Sequence, residues 1–181
     1  MSSFKHFFTV FLCAVLLTTA AGCGFSPLYA TKTQTSVEAF RNITIANIPE
    51  RAGQQLRNLL IDKIYGSAGP SGHSRYRLVL SNLKEHETSL GVQKDATVTR
   101  IQLRVSADLT LYDMQNSDAD GNPAIELERH LRTLNSYNVL DNLYATRISR
   151  QNIMDVSLGE LSDQAVTELS LFLKRQQDGQ Q

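Results

Sequence analysis

The chain has 181 residues, enough for one domain with a substantial hydrophobic core. Its 18 basic and 18 acidic residues cancel and are interspersed, so no global field points to nucleic acid. The only cysteines are Cys13 and Cys23, and if the segment carrying the first is removed no intramolecular disulfide is possible.

The chain begins "MSSFKHFF", where Lys5 supplies a positive start, and an apolar run follows from about Phe7 to Leu17. That run is shorter than the roughly 20 residues of a membrane-spanning helix and ends in the small residues Ala20, Ala21 and Gly22. The pattern predicts a signal peptide over residues 1–22. Cys23 directly after it resembles a bacterial lipobox, with Ala20 where leucine is usual, and the expectation is an acylated first residue. An ordinary secretory cleavage with an unrelated cysteine nearby, or an uncleaved anchor, is the plainer alternative. Acylation would anchor the chain to a membrane, each buried methylene contributing ~0.8 kcal/mol. Gly24, in place of an aspartate, leans towards the outer membrane by general lipoprotein sorting. Residues 23–36 then read as a lipidated linker, 37–176 as a single domain and 177–181 as a polar tail.

Within the domain, "RNITIANI" reads as a short strand through Ile43 and Ile45. Pro49 and Glu50 suit a helix start, Leu56, Leu59, Leu60 and Ile64 form one stripe, and Gly66 stops it. "GSAGPSGHS" is a loop. "RYRLVLSNLKE" is a second strand with Tyr76, Leu78 and Leu80 on one face, and the polar "HETSLGVQKDA" links it onward. The third strand carries the clearest pattern. Ile101, Leu103, Val105, Ala107, Leu109 and Leu111 alternate with Gln102, Arg104, Ser106, Asp108 and Thr110, as on a strand with one face buried.

"NSDADGNPA" is a turn, and "IELERHLRTLNSY" a fourth strand with Ile125, Leu127 and Leu131 inward and Arg129 breaking that face. From Asn138 onward the chain reads as helix, with Leu158, Leu161, Ala165, Leu169 and Phe172 as its stripe. Gly159 is a candidate kink or break, costing ~1 kcal/mol against alanine. The expected fold class is α+β: a two-layer sandwich of two amphipathic helices on a four-stranded, largely antiparallel sheet.

Chemistry is sparse. His73, His86 and His130 have no partner at metal-ligand spacing, and Glu85, His86 and Glu87 alternate between strand faces. "SDADGN" has the wrong spacing for a calcium loop, and no phosphate-loop, dinucleotide or nucleophile-elbow motif occurs. The expectation is a non-enzyme with no metal and no cofactor. The candidate site is basic: Arg100, Gln102 and Arg104 share the outward strand face, with Lys94 in the preceding loop. Arginine forks pair with phosphate, so Lys94, Arg100 and Arg104 are candidates for holding an anionic amphiphile such as phosphorylated lipid A. The plainer account, favoured for outward charges on strands, pairs the arginines with Glu126 and Glu128 across the sheet.

"GCGFSPLY", Gly22 to Tyr29, resembles the opening of the LptE family of lipopolysaccharide-assembly lipoproteins, especially its α-proteobacterial branch. The similarity continues through "RAGQQLRNLLIDKI", "RYRLVLSNL", "TRIQLRVSADLTLYD" and "SYNVLDNLYA", nearly the whole mature chain. The resemblance implies a two-helix, four-strand sandwich that plugs a large outer-membrane β-barrel, LptD, helps it fold and assists placement of lipopolysaccharide in the outer leaflet. Some members bind lipopolysaccharide through basic residues, and Lys94, Arg100 and Arg104 are candidates read from this sequence rather than taken from the resemblance. An interaction lipoprotein of another envelope assembly or transport machine is the alternative.

Overall fold

The computed structural model describes residues 39–66, 69–92 and 98–179. Cys23, the expected signal segment and linker, and Lys94 lie outside the described residues. The elements run β1 (Ile43–Ile45), α1 (Glu50–Tyr65), β2 (Tyr76–Val92), β3 (Val98–Ser117), β4 (Pro123–Asn138) and α2 (Leu143–Asp178). They form one sheet in the order β1-β2-β3-β4. β1 runs parallel to β2, through the crossover that α1 makes, while β2, β3 and β4 are an antiparallel meander. The fold is therefore α+β with a mixed, mostly antiparallel sheet, as the element order predicts.

The core follows from the two periodicities. Leu103, Val105, Ala107, Leu109 and Leu111 are all fully buried on one face of β3. Tyr76, Leu78 and Leu80 of β2 and Leu127 and Leu131 of β4 share that face. Against it lie Leu56, Leu60 and Ile64 of α1 and Leu158, Leu161, Ala165, Leu169 and Phe172 of α2. Each large aliphatic chain removed from water contributes roughly 1.5–3 kcal/mol. An ion pair ties the helices at their rim, where Lys63 Nζ lies 2.6 Å from Asp163 Oδ1.

Four details differ from the sequence pattern. The stretch "HETSLGV" belongs to β2, because backbone pairing with β3 continues to Val92 beyond the point where apolar alternation stops. Ile125 faces outward and is exposed, because a register shift leaves Glu126 as an extra residue between Leu127↔Leu111 and Ile125↔Tyr112. Arg129 does keep the inward parity, at the sheet's edge, where its Nε donates to Glu168 Oε2 of α2 at 3.0 Å. Finally, α2 starts at Leu143 rather than near Asn138, since Asn142 Oδ1 caps it by accepting from Tyr144 N and Ala145 N. The helix then runs through Gly159 without a break.

Candidate functional site

Both helices pack on one face of the sheet: α2 against β3 and β4, α1 against β1 and α2. Among the described residues no element covers the other face. Its composition is read from the cross-strand register. Going down β3, Arg100 lies between Gly91 and Asn138, Gln102 between Thr88 and Ser136, and Arg104 between His86 and Leu134. Ser106 lies between Lys84 and Arg132, Asp108 between Ser81 and His130, and Thr110 between Val79 and Glu128. Successive rows are about 7 Å apart and neighbouring strands about 4.8 Å.

This register separates charge along the face. Arg100, Arg104, His86, Lys84 and Arg132 occupy three of the four adjacent rows at the end near the β2–β3 connection, the Gln102 row between them being neutral, and none of the four rows holds a carboxylate. Glu128, the partner that the plainer account gave the arginines, is opposite Thr110. Six residues of strand, about 20 Å, separate that row from Arg104. The pairing across the sheet therefore does not form. Arg100 instead donates from Nε and Nη2 to Ser136 Oγ, at 3.0 and 2.7 Å, which fixes the plane of its fork while leaving other N–H groups free to bind. Among the described residues Arg104, Lys84 and Arg132 have no carboxylate within ion-pair distance.

The lower border of this basic zone is Asp108. His130 Nδ1 sits 2.7 Å from Asp108 Oδ1, and Asn82 Nδ2 donates to Oδ2 at 2.7 Å. The His130 bond first, and then the Asn82 bond, hold the Asp108 carboxyl below the usual carboxylate range. Asn82 reaches it from a left-handed position, φ 53°, within the bulge between Ser81 and Lys84. That bulge also sets Lys84 and His86 on the open face and Glu85 and Glu87 on the covered one. There Arg150 of α2 donates to both, Nε to Glu87 Oε1 at 2.6 Å and Nη2 to Glu85 Oε2 at 2.8 Å.

Of the predicted site residues, Arg100 and Arg104 are both exposed on this open face, and Lys94 lies outside the described residues. Sequence reading missed Lys84 and His86 on this face, and left the outward Arg132 of β4 out of the cluster. The signal for them is register, which alternation within one strand does not contain. His73 is in a loop, exposed, and no group of His, Cys, Asp and Glu among the described residues is disposed to hold a metal. The "SDADGN" turn spends its aspartate on the backbone: Asp118 Oδ1 accepts from Asp120 N and Asn122 N at 3.0 and 2.8 Å. No helix among the described residues is long and apolar enough to cross a membrane. What the open face can do chemically is bind a multiply anionic group through several exposed cations, with a strong dependence on ionic strength.

Comparison with known proteins gives the following. Residues 33–169 match the family model LptE, described as lipopolysaccharide-assembly. No curated protein matches by sequence. Among solved structures, a lipoprotein from Caulobacter crescentus is similar at 22% identity and TM-score 0.57, over 78% of this chain and 98% of that one. A lipoprotein B from Nitrosomonas europaea is similar at 14% identity and TM-score 0.53, over 73% and 82%. The minor lipoprotein from Acinetobacter baumannii is similar at 17% identity and TM-score 0.50, over 71% and 88%. At these identities the likeness is one of fold.

Proposed function

The chain belongs to the LptE family of lipopolysaccharide-assembly proteins, and we propose that it is a non-enzymatic lipoprotein anchored in the outer membrane through acylated Cys23. In this reading it is the plug subunit of the lipopolysaccharide translocon. It seats inside an LptD-type β-barrel, assists assembly of that barrel and helps deliver lipopolysaccharide to the outer leaflet. Residues 1–22 are its signal peptide, 23–36 its lipidated linker and 37–176 its working domain.

The observation that carries the reading is the open sheet face. A four-stranded sheet with helices, among the described residues, on one side only, and four adjacent carboxylate-free rows on the other, three of them carrying basic residues, is built to meet an anionic ligand. Phosphates of lipopolysaccharide fit that chemistry, with Lys94, Arg100 and Arg104 as proposed contacts and Lys84, His86 and Arg132 beside the two arginines. The test is detergent extraction of outer membranes followed by affinity capture of the chain and mass spectrometry of its partners and N-terminal peptide. A large β-barrel in stoichiometric amount and a triacylated Cys23 are expected. Recovery of the intact lipoprotein without any such barrel would overturn the plug role.

A further inference from the structure

The end of the molecule that carries the basic rows also carries an apolar corner that the core does not use. After Asn138, which pairs with Arg100, Val139 N donates to Thr99 O at 3.0 Å, so the chain stays on β3 for one more residue. Leu140 follows, within about 12 Å of Arg100 by chain length and strand spacing. Thr146 clasps it: Leu140 N donates to Thr146 Oγ1 at 2.9 Å and that hydroxyl donates to Leu140 O at 3.0 Å. Asn142 caps the helix between them. The corner is therefore held in place by hydrogen bonds to both backbone groups of Leu140. Yet Leu140, Leu143 and Tyr144 are 46%, 85% and 71% exposed. On the basic face itself Leu134, directly opposite Arg104, is 56% exposed.

We propose that Leu140, Leu143 and Tyr144, with Leu134, receive acyl chains of the same phosphorylated glycolipid whose phosphates lie on Arg100 and Arg104. This deepens, and rests on, the reading of the open face as a lipopolysaccharide site. The argument is continuity and complementarity. An amphiphile presents anionic and apolar groups in one molecule, and this end of the fold presents cations and uncovered large apolar side chains a few residues apart. A purely anionic ligand leaves the apolar corner without a function. A purely apolar partner leaves three carboxylate-free basic rows without one. The corner's fixed backbone also lowers the ordering cost of binding, since only side chains need settle.

The experiment measures binding of the full chain to three probes: hexa-acylated lipid A in micelles, the deacylated bisphosphorylated glucosamine disaccharide, and phosphatidylglycerol micelles. Two variants are compared with the unaltered protein, Leu143→Ser with Tyr144→Ser, and Arg100→Glu with Arg104→Glu. All four positions are exposed, so circular dichroism is expected to be unchanged. The corner variant should weaken lipid A binding on the order of tenfold and leave disaccharide binding as it was. The arginine variant should weaken both. Unchanged lipid A binding by the corner variant alone would overturn the assignment while leaving the phosphate site standing. So would loss of β-barrel co-purification with lipid A binding intact, since the corner would then be a protein contact. Phosphatidylglycerol binding as tight as lipid A binding, and equally sensitive to the corner variant, would make it a general bilayer contact and likewise overturn it. If neither variant altered lipid A binding, the reading of the open face would fall as well.

Discussion

Asp113 is fully buried at the end of β3, and its partner Arg75 sits just before β2. Arg75 Nε and Nη2 donate to Asp113 Oδ2 at 3.0 and 2.7 Å, Asn116 Nδ2 to the same oxygen at 2.8 Å and Gln115 N to Oδ1 at 2.8 Å. Burial opposes ionisation of this carboxyl, but the Arg75 fork, the Gln115 amide and the Asn116 side chain outweigh it and hold its pKa below the ordinary value. The two truncations of the pair are therefore unequal. Arg75→Ala leaves a buried carboxylate with only two neutral donors, which costs about 3 kcal/mol, the low end for an orphaned buried charge. It also removes the guanidinium stacked 5.0 Å over the Tyr76 ring. Asp113→Ala leaves Arg75, whose side chain is 38% exposed and can take water in exchange. Its cost should be nearer 1–2 kcal/mol, from lost charge-assisted hydrogen bonds partly offset by carboxylate desolvation no longer incurred.

The pH dependence has a definite sign. A folded-state pKa below the unfolded value means stabilisation fully present above about pH 4 and lost as pH falls through the lower folded value. In Arg75→Ala burial is no longer countered by the guanidinium, so protonation relieves the strain and the gap from the unaltered protein should narrow towards pH 3. Urea unfolding followed by far-UV circular dichroism at pH 7 and pH 3 reads both effects. An Asp113→Ala cost equal to or above that of Arg75→Ala, or a gap that persists unchanged at pH 3, would refute the reasoning.

The two interior helix glycines should respond oppositely to alanine. At Gly53 a Cβ would lie 2.6 Å from Ile48 Cγ2 and 3.1 Å from the Ile48 carbonyl, so Gly53→Ala should lose about 1–3 kcal/mol in urea melts despite its better helix propensity. At Gly159 a Cβ meets nothing within 4 Å, so Gly159→Ala should gain about 1 kcal/mol by the same assay. Thr133 Oγ1 is buried without a hydrogen-bond partner, and Thr133→Val should raise stability by about 1 kcal/mol, read as a higher urea midpoint. Arg150→Ala should cost less than about 1 kcal/mol globally, its pairs being partly exposed. Hydrogen exchange should nonetheless quicken selectively in the upper part of β2 around Glu85 and Glu87.

Which features were legible in the sequence depends on what holds each one. β3 was readable because burial alone dictates its alternation, from Leu103 to Leu111. The helix stripes were readable for the same reason. The upper half of β2 was not, because its inward residues are Glu85 and Glu87, balanced by Arg150 more than sixty residues later in the chain. Arg129 looked like a flaw in β4 because its partner Glu168 is 39 residues away. Ile125 looked inward because a bulge leaves no mark in the pattern of one strand. In each case a long-range partner or a register shift decides, and neither is a local property.

The candidate site obeys the same logic more severely. Alternation placed Arg100 and Arg104 on an outward face, and the plainer expectation then supplied Glu126 and Glu128 as their neutralising partners. Only the register removes those glutamates, setting Glu128 against Thr110 and bringing His86, Lys84 and Arg132 alongside the arginines instead. A slip of four or six residues in the β3–β4 pairing would keep every inward residue facing inward by parity, though against different neighbours. It would also move β4 carboxylates towards the arginine rows. The buried core thus tolerates more than one charge pattern on the open face. The particular pattern found is fixed by the turn at Asp118–Asn122, where four hydrogen bonds close the β3–β4 hairpin and set its register. A loop with no ligand chemistry of its own therefore determines where the cations stand, and shortening it should alter anion binding before it alters the helices.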